Sequence, residues 1–431
     1  MVLAVGGAGL GPVGAVAAPA QILAQLQAGS VTGRLDESSQ VLGDGSYYNI
    51  HTFEGQAGDS IRIDLVSEDF DTYLILVGPD GRLIAEDDDG GDWNNSRIVV
   101  ALTSTGAYQI LANSYDTGAT GQYRLNLQPT TDDEVSQYEA LQRATELNQQ
   151  AQQIEQTGRY GEAEILYQQS LDIRRERLGD QHPDVAISFN NLAALYQAQG
   201  RYGEAEPLYQ QSIEILRRRL GARHPDLASI LSNLATLYEY QGRYSEAESI
   251  HKETLDIRRE QLGERHLDTA ISLNNLAALY ESQGRHSEAE PLYQESLSIF
   301  RERLGTHHPL VATSLNNLAG LYESQGRYKD AESLYQGSLD IRRERLGERH
   351  LDTAISLNDL AALYVSQGRY NEAEPLYQES LSILRERLGN RHPNIAVSLH
   401  NLAALYTTQG RYVEAESLYQ ESLDIRRERL G

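Results

Sequence analysis

The sequence predicts a chain of two parts, an antiparallel β-sandwich followed by an all-α superhelix of seven helical hairpins. A Gly-Arg motif returns every 42 residues from Gly158 to Gly410. A fixed period of this size is typical of solenoids, in which each unit packs only against its neighbours. Residues from about 30 to 128 instead alternate polar and apolar side chains, which is typical of strands.

The composition is that of a folded, acidic protein. The chain has 431 residues, 40% of them hydrophobic, and a formal net charge of -25. A surface this negative repels phosphate groups, so the sequence predicts no nucleic-acid partner. The absence of cysteine excludes disulfides, thiolate metal sites and cysteine nucleophiles. After the N-terminal segment no stretch reaches the roughly 20 apolar residues of a transmembrane helix, so no membrane span is predicted.

Residues 1–20 form an uncharged segment that is rich in alanine, valine and glycine. Its apolar core and small-residue end are typical of a secretory signal peptide, although the basic start of such a peptide is missing. We interpret it as a signal peptide whose start lies upstream; an apolar leader or linker is the alternative. The interpretation predicts a protein that is secreted, periplasmic or associated with the cell envelope.

The alternating pattern is clearest in five segments of the predicted β-sandwich, at residues 30–128. They are residues 60–65, 73–77, 97–102, 107–112 and 121–127. Turn signals such as Gly78-Pro79-Asp80-Gly81 separate them. Several short strands at this spacing favour an antiparallel sandwich.

Four motifs occur in order along these strands. They are Gly-Asp-Ser-Ile at residues 58–61, Asp-Phe-Asp-Thr-Tyr at 69–73, Gly-Pro-Asp-Gly at 78–81 and Gly-Ala-Tyr at 106–108. In this order they resemble the bacterial pre-peptidase C-terminal (PPC) domain. The resemblance implies a β-sandwich of the kind attached to secreted enzymes, of which some relatives bind calcium or extracellular polymers. No peptidase motif accompanies it here.

An acidic loop within this region contains the candidate metal ligands Asp87, Asp89 and Asp92. Carboxylate oxygens on a flexible loop are ligands that calcium prefers. The loop does not follow the twelve-residue helix-loop-helix calcium pattern, and a solvated acidic loop is the simpler interpretation. Calcium is therefore the one cofactor that the sequence suggests.

The helical part begins after residue 128, where Thr131 precedes three acidic residues that suit the first turn of a helix. We assign residues 129–157 to a linker and capping helix, and residues 158–431 to the repeat array, whose first unit begins at about residue 134. Apolar residues at helical spacing predict two helices per unit, as at residues 184–198 and 203–220. The glycine of each Gly-Arg motif then ends the first helix in a left-handed conformation.

Residues at fixed positions of each unit carry a second resemblance. They are Leu192, Ala193, Tyr196, Ala205 and Tyr209, with counterparts every 42 residues. The unit resembles the tetratricopeptide repeat, in the long form of kinesin light chains. This resemblance implies a right-handed superhelix whose concave groove is formed mostly by the first helices of the hairpins and binds segments of protein partners.

Asparagines on the first helices are the candidate peptide-binding residues. In grooves of this family the matching asparagine bonds the main chain of a bound peptide, and an asparagine side chain can donate and accept at once. The candidates are Asn191, Asn233, Asn275, Asn317, Asp359 and Asn401, preceded in the chain by Asn190, Asn274, Asn316 and Asn358. The alternative is that these side chains bond adjacent helices to one another and hold the stack.

Two other rows have structural interpretations. Histidines that precede proline or leucine at each helix start are predicted to form turns and caps rather than metal sites. They are His182, His224, His266, His308, His350 and His392. The arginines near the end of each second helix, Arg175 and its counterparts, are predicted to complement the helix dipole.

The sequence contains no paired nucleophile and base and no phosphate-binding glycine loop. We therefore predict a non-catalytic, exported scaffold that binds peptide segments of protein partners. One alternative is an adhesion or matrix-binding protein whose β-domain holds calcium or polymer. Another is the sensor part of a larger effector that continues past residue 431.

Overall fold

The computed structural model describes residues 22–25, 28–88 and 95–430. They form two compact units. The first unit runs through Gln152 and includes Asp172–Arg177, and the second contains Gln153–Leu171 and the residues from Leu178 onward. The predicted signal peptide lies outside the described residues.

The first unit contains two packed β-sheets. Their strands are β1 (Ile22–Gln25), β2 (Gly29–Leu35), β3 (Gln40–Val41), β4 (Tyr47–Gly55), β5 (Ser60–Val66), β6 (Thr72–Val77), β7 (Leu83–Asp87), β8 (Ser96–Ala101), β9 (Gly106–Ser114) and β10 (Gly121–Pro129). One sheet has the order β1-β4-β9-β6-β7 with β3 against β4, and the other has the order β2-β10-β5-β8. The predicted sandwich is confirmed, although β1 runs parallel to β4 and β1 to β4 and β7 were not among the five predicted segments.

The sandwich core follows from the alternation of the strands. On β5, Ile61, Ile63 and Leu65 are buried between the sheets. The rings of Phe53 and Tyr108 stack with their centroids 5.3 Å apart. Burying this apolar surface stabilises the domain by roughly 25 cal/mol for each Å² removed from water.

A polar cluster interrupts this core around Tyr123. Asn49 donates to the Tyr123 hydroxyl at 3.1 Å, and His51 Nε2 lies 2.8 Å from the same oxygen. Burial lowers the pKa of His51 to about 4, so its ring is neutral at physiological pH.

The rest of the described chain is helical. The helices are α1 (Asp132–Gln156), α2 (Tyr160–Leu178), α3 (Pro183–Ala198), α4 (Tyr202–Leu220), α5 (Pro225–Tyr240), α6 (Tyr244–Leu262), α7 (Leu267–Ser282), α8 (His286–Leu304), α9 (Pro309–Ser324), α10 (Tyr328–Leu346), α11 (Leu351–Ser366), α12 (Tyr370–Leu388), α13 (Pro393–Thr408) and α14 (Tyr412–Leu430). Odd-numbered helices are the first, and even-numbered helices the second, of each hairpin. None of the helices in the described part is long and apolar enough to cross a membrane.

Local sequence determines where each hairpin turns. Gly200 adopts a φ of +75° after α3, which a residue with a side chain resists. His182 caps the start of α3, because its Nδ1 accepts from the Asp184 amide at 3.2 Å. Five further histidines cap their helices in the same way, so the predicted capping role is confirmed. Inside the hairpin, the buried Ser212 hydroxyl donates to the Ala186 carbonyl at 2.6 Å.

Candidate functional site

Six first helices, α3 to α13, leave the same side uncovered. In α3 the residues on this side are Ile187, Asn190, Asn191, Ala194, Gln197 and Ala198, all exposed or half-buried. Their spacing places them on one stripe of the helix, and their counterparts recur every 42 residues. We call the surface formed by these positions in α3, α5, α7, α9, α11 and α13 the first-helix face.

The ten predicted peptide-binding residues all lie on the first-helix face, where they are half-buried. Several bond directly from one unit to the next. Asn233 Nδ2 donates to Asn190 Oδ1 at 2.9 Å, and Asn317 Nδ2 donates to Asn274 Oδ1 at 3.0 Å. Asn401 bonds Asn358 in the same way at 3.2 Å. The asparagines therefore cross-link neighbouring first helices, and their role in binding stays a prediction.

Asp359 reverses the direction of these bonds. A carboxylate cannot donate, so here the earlier helix supplies the proton, and Asn316 Nδ2 bonds Asp359 Oδ2 at 2.9 Å. Asn316 Oδ1 is then buried without a hydrogen-bond partner. Burial raises the pKa of Asp359, because a charged carboxylate is poorly solvated there.

A row of carboxylates lies at the C-terminal end of the first-helix face. Glu239, Glu281 and Glu323 occupy the same position in α5, α7 and α9. Glu281 accepts from the Tyr293 hydroxyl at 2.8 Å and Glu323 from that of Tyr335 at 3.1 Å, each on the following second helix.

His251 takes the tyrosine's place beside Glu239, with its Nε2 at 2.6 Å from the carboxylate. Burial also raises the pKa of Glu281. Since α3, α5, α7, α9, α11 and α13 contain no lysine or arginine, these helices contribute carboxylates but no lysine or arginine to the face; their one basic side chain on it is His400.

From α3 to α11, the N-terminal end of the face alternates between apolar and hydroxyl side chains; in α13 the position is again apolar, as Val397. Ile187, Ile271 and Ile355 are 44%, 36% and 43% exposed. In the units between them, the position is held by Ser229 and Thr313.

An arginine from the second helix lies beneath each of these two hydroxyls. Arg258 Nη2 is 3.4 Å from the Ser229 hydroxyl and Arg342 Nη2 is 3.5 Å from that of Thr313. In the isoleucine units the arginine position is apolar, as Leu216, Phe300 and Leu384. Sequence reasoning missed this pairing, although its 84-residue period is readable in the sequence.

The arginine of the Gly-Arg motif is held within the array. Arg243 stacks over the Tyr238 ring, 3.8 Å from its centroid. It also donates to Glu206 of the preceding unit at 2.8 Å and to Glu246 of its own helix at 2.7 Å. Arg201, Arg285, Arg327, Arg369 and Arg411 repeat the arrangement. These arginines join units and are not candidates for ligand binding.

The arginines near the ends of the second helices have partners that the sequence did not predict. Arg217 pairs with Glu253 at 2.7 Å, and Arg385 pairs with Glu421 at 2.6 Å. In both pairs the glutamate belongs to the next second helix. These contacts add to the predicted interaction with the helix dipole.

The structure gives limited information on metal binding. Of the three calcium candidates, Asp89 and Asp92 lie outside the described residues. Asp87 Oδ2 accepts from the Arg97 amide at 2.8 Å. Among the residues that the structure describes, no group of three or more His, Cys, Asp or Glu side chains could hold a metal ion. Calcium binding by the loop stays a prediction.

Helical hairpins stacked at a constant period define a repeat-protein scaffold. The family model of the tetratricopeptide repeat matches the chain six times, over residues 142–218, 188–260, 226–302, 268–344, 310–386 and 352–428. The chain therefore belongs to the tetratricopeptide repeat family. The likeness of the β-domain to the PPC domain stays a prediction.

Solved structures with similar helical repeats include BtubC (BKLC) from P. vanneervenii, which is 28% identical, with a TM-score of 0.45, over 52% of this chain and 90% of that one. A putative kinesin light chain from Podosopora anserina is 27% identical, with a TM-score of 0.41, over 48% of this chain and 97% of that one. Aspartyl phosphate phosphatase F from Bacillus subtilis is 14% identical, with a TM-score of 0.53, over 68% of this chain and 73% of that one. At this identity the similarity concerns the fold alone. No curated protein matches the chain significantly.

Proposed function

We propose that the array is a non-catalytic scaffold whose first-helix face is a groove for an extended segment of a partner protein. The observation that carries this proposal is the row of half-buried amides that continues from unit to unit on an otherwise uncovered face. A peptide main chain offers one donor and one acceptor per residue. A row of amides matches that regular pattern without depending on the partner's side chains.

The amides keep capacity beyond the bonds that they make to one another. Asn317 uses one of its two N–H groups on Asn274, and its second N–H and its carbonyl oxygen are available to a ligand. Next to the amides, Ala278 and Gly320 leave room for a main chain to approach. Such cross-linking fixes each amide in place, so little side-chain entropy is lost on binding.

The test removes two amides from the middle of the face. Peptides are first selected on the full chain from a phage-displayed library of random dodecapeptides. For a selected peptide, Asn275→Ala combined with Asn317→Ala should weaken binding by about 10- to 100-fold, the loss expected for about two hydrogen bonds. The free energy of unfolding should fall by only about 1–2 kcal/mol, because the amides are half-buried and water can replace some of the hydrogen bonds that are lost.

The matched control is Asn371→Ala with Asn390→Ala, which removes two exposed asparagines outside the first-helix face. It should leave the dissociation constant unchanged. If the Asn275 and Asn317 variant unfolds more easily but binds with unchanged affinity, the amides only hold the stack. A library that yields no binding peptide would also contradict the proposal. The predicted export would place this scaffold outside the cytoplasm.

A further inference from the structure

We propose that the partner segment is cationic, and that its lysine or arginine side chains pair with the carboxylates of Glu239, Glu281 and Glu323. This inference rests on the proposed function and adds the chemistry of the partner. It is drawn from three features of the first-helix face: how its acids are paired, which charges lie around them, and where they lie relative to the row of small residues.

The pairing of these acids differs from that of the acids elsewhere in the array. Glu206, for example, pairs with Arg243 at 2.8 Å, and five further units repeat this pair. Glu281 and Glu323 instead accept hydrogen bonds from neutral tyrosine hydroxyls. Neither forms an ion pair with lysine or arginine in the part of the chain that the structure describes. Neither carboxylate is therefore neutralised by an arginine or lysine of the described array, although the imidazole of His286 lies close enough to act on Glu281.

The two arginines beneath the first-helix face, Arg258 and Arg342, are buried and hydrogen-bonded inside the array. Arg258 and Arg342 are 7% and 6% exposed. Arg258 Nη1 donates to the Asp268 carbonyl at 3.2 Å and to the Ser272 hydroxyl at 2.9 Å. Arg342, two units further along the chain, makes the equivalent hydrogen bonds. These guanidinium groups lie below the opposite end of the face from the glutamates. A ligand above the glutamate row therefore meets the carboxylates of Glu281 and Glu323, which have no arginine or lysine partner, and that of Glu239, which lies against His251.

The glutamate row borders the small residues over which a main chain would pass. Ala278 and Gly320 each lie one helical turn before a glutamate of the row. A Cβ atom added to Gly320 would lie 3.6 Å from Glu281 Oε1 of the preceding unit. A peptide main chain at this place would hold its side chains within reach of two successive carboxylates.

Burial makes a cationic ligand favourable for Glu281 in the middle of the row. Burial raises the pKa of its carboxyl group, because the charged form is poorly solvated where it lies. A lysine or arginine side chain beside it would supply the missing opposite charge. From Glu239 to Glu323 the row crosses two helix spacings of about 8–10 Å each, which an extended segment of about six residues spans. Dodecapeptides are therefore long enough to test the proposal.

The experiment compares the full chain with two variants in the same dodecapeptide selection. The groove variant carries Glu239→Gln, Glu281→Gln and Glu323→Gln. The control carries Glu246→Gln, Glu288→Gln and Glu372→Gln, which removes the same amount of charge from exposed positions at the starts of second helices. Because both lose three charges, non-specific attraction to the acidic protein is matched.

We expect the wild-type selection to be enriched in lysine and arginine over the input library. Peptides selected in this way should bind the groove variant about 10- to 50-fold more weakly and the control with nearly unchanged affinity. Peptides whose binding depends on Asn275 and Asn317 but shows no basic enrichment would overturn this inference and leave the proposed function standing. Equal weakening in both variants would also overturn it, and a selection without any binders would contradict both.

Discussion

Replacing Asp359 by asparagine should stabilise the array, because it restores the hydrogen bond that the other units make. In the native chain Asn316 Oδ1 is a buried acceptor without a partner, and the carboxylate of Asp359 cannot supply a proton to it. The introduced amide could donate to this oxygen in the geometry of the bond from Asn317 to Asn274, which is 3.0 Å long. The change also removes a charge that burial disfavours.

The expected gain is about 1–2 kcal/mol at neutral pH. A buried polar group without a partner costs about 1–3 kcal/mol, and the lower part of that range applies because the residues are half-buried. Amide hydrogen exchange is the suitable assay, since long repeat arrays do not always unfold in a single step. Protection of the α9 and α11 amides should increase about 5- to 30-fold in Asp359→Asn.

The pH dependence gives a second check with a defined sign. Burial raises the pKa of Asp359 above that of an ordinary aspartate, so the carboxylate destabilises the folded state when the pH is above the folded pKa. That destabilisation is lost as the pH falls through the folded pKa, because the folded state takes up a proton first. The advantage of Asp359→Asn, measured at each pH as the protection of the α9 and α11 amides relative to the native chain, should therefore shrink as the pH falls toward about 4.

The reciprocal change serves as the control. Asn317→Asp removes the donor to Asn274 Oδ1 in the neighbouring pair of units and should destabilise the array by a similar amount. If Asp359→Asn is no more stable than the native chain at pH 7, or if its advantage does not change with pH, the reasoning from the unpaired acceptor and the buried charge is wrong.

Two further predictions concern buried polar groups. Ser296→Ala should lower the free energy of unfolding by about 1 kcal/mol, because the Ser296 hydroxyl donates to the Ala270 carbonyl at 2.7 Å. Thr254 occupies the position of Ser296 in the preceding unit, and its hydroxyl is buried without a hydrogen-bond partner. Thr254→Val should therefore leave the stability unchanged or raise it. Equal losses in urea unfolding would refute the distinction. In the β-domain, the His51 ring should titrate by NMR with a pKa of about 4, and about 3 kcal/mol of stability should be lost as the pH falls from 6.5 toward 4. A measured pKa near 6.5 would contradict its burial.

The sequence by itself determined the architecture of the array. Each hairpin needs a left-handed residue at Gly200 and its counterparts, a cap at His182 and its counterparts, and a stripe of apolar residues. These requirements appear in the sequence as local motifs or as a periodic pattern, so they can be predicted without knowledge of the tertiary structure. The strands of the sandwich were harder to predict, because a short strand such as β7 is defined by its pairing with β6 rather than by its own residues.

The tertiary structure decided which side chains of the array meet, since residues about 42 positions apart come together only when the units stack. Sequence reasoning found the asparagines, but only the stacked helices show that Asn317 bonds Asn274 and that Asn316 is left with an unpaired oxygen beside Asp359. The glutamate row was missed for a similar reason. Glu281 resembles every other glutamate of the repeat in sequence, and its lack of a cationic partner follows from what packs around it.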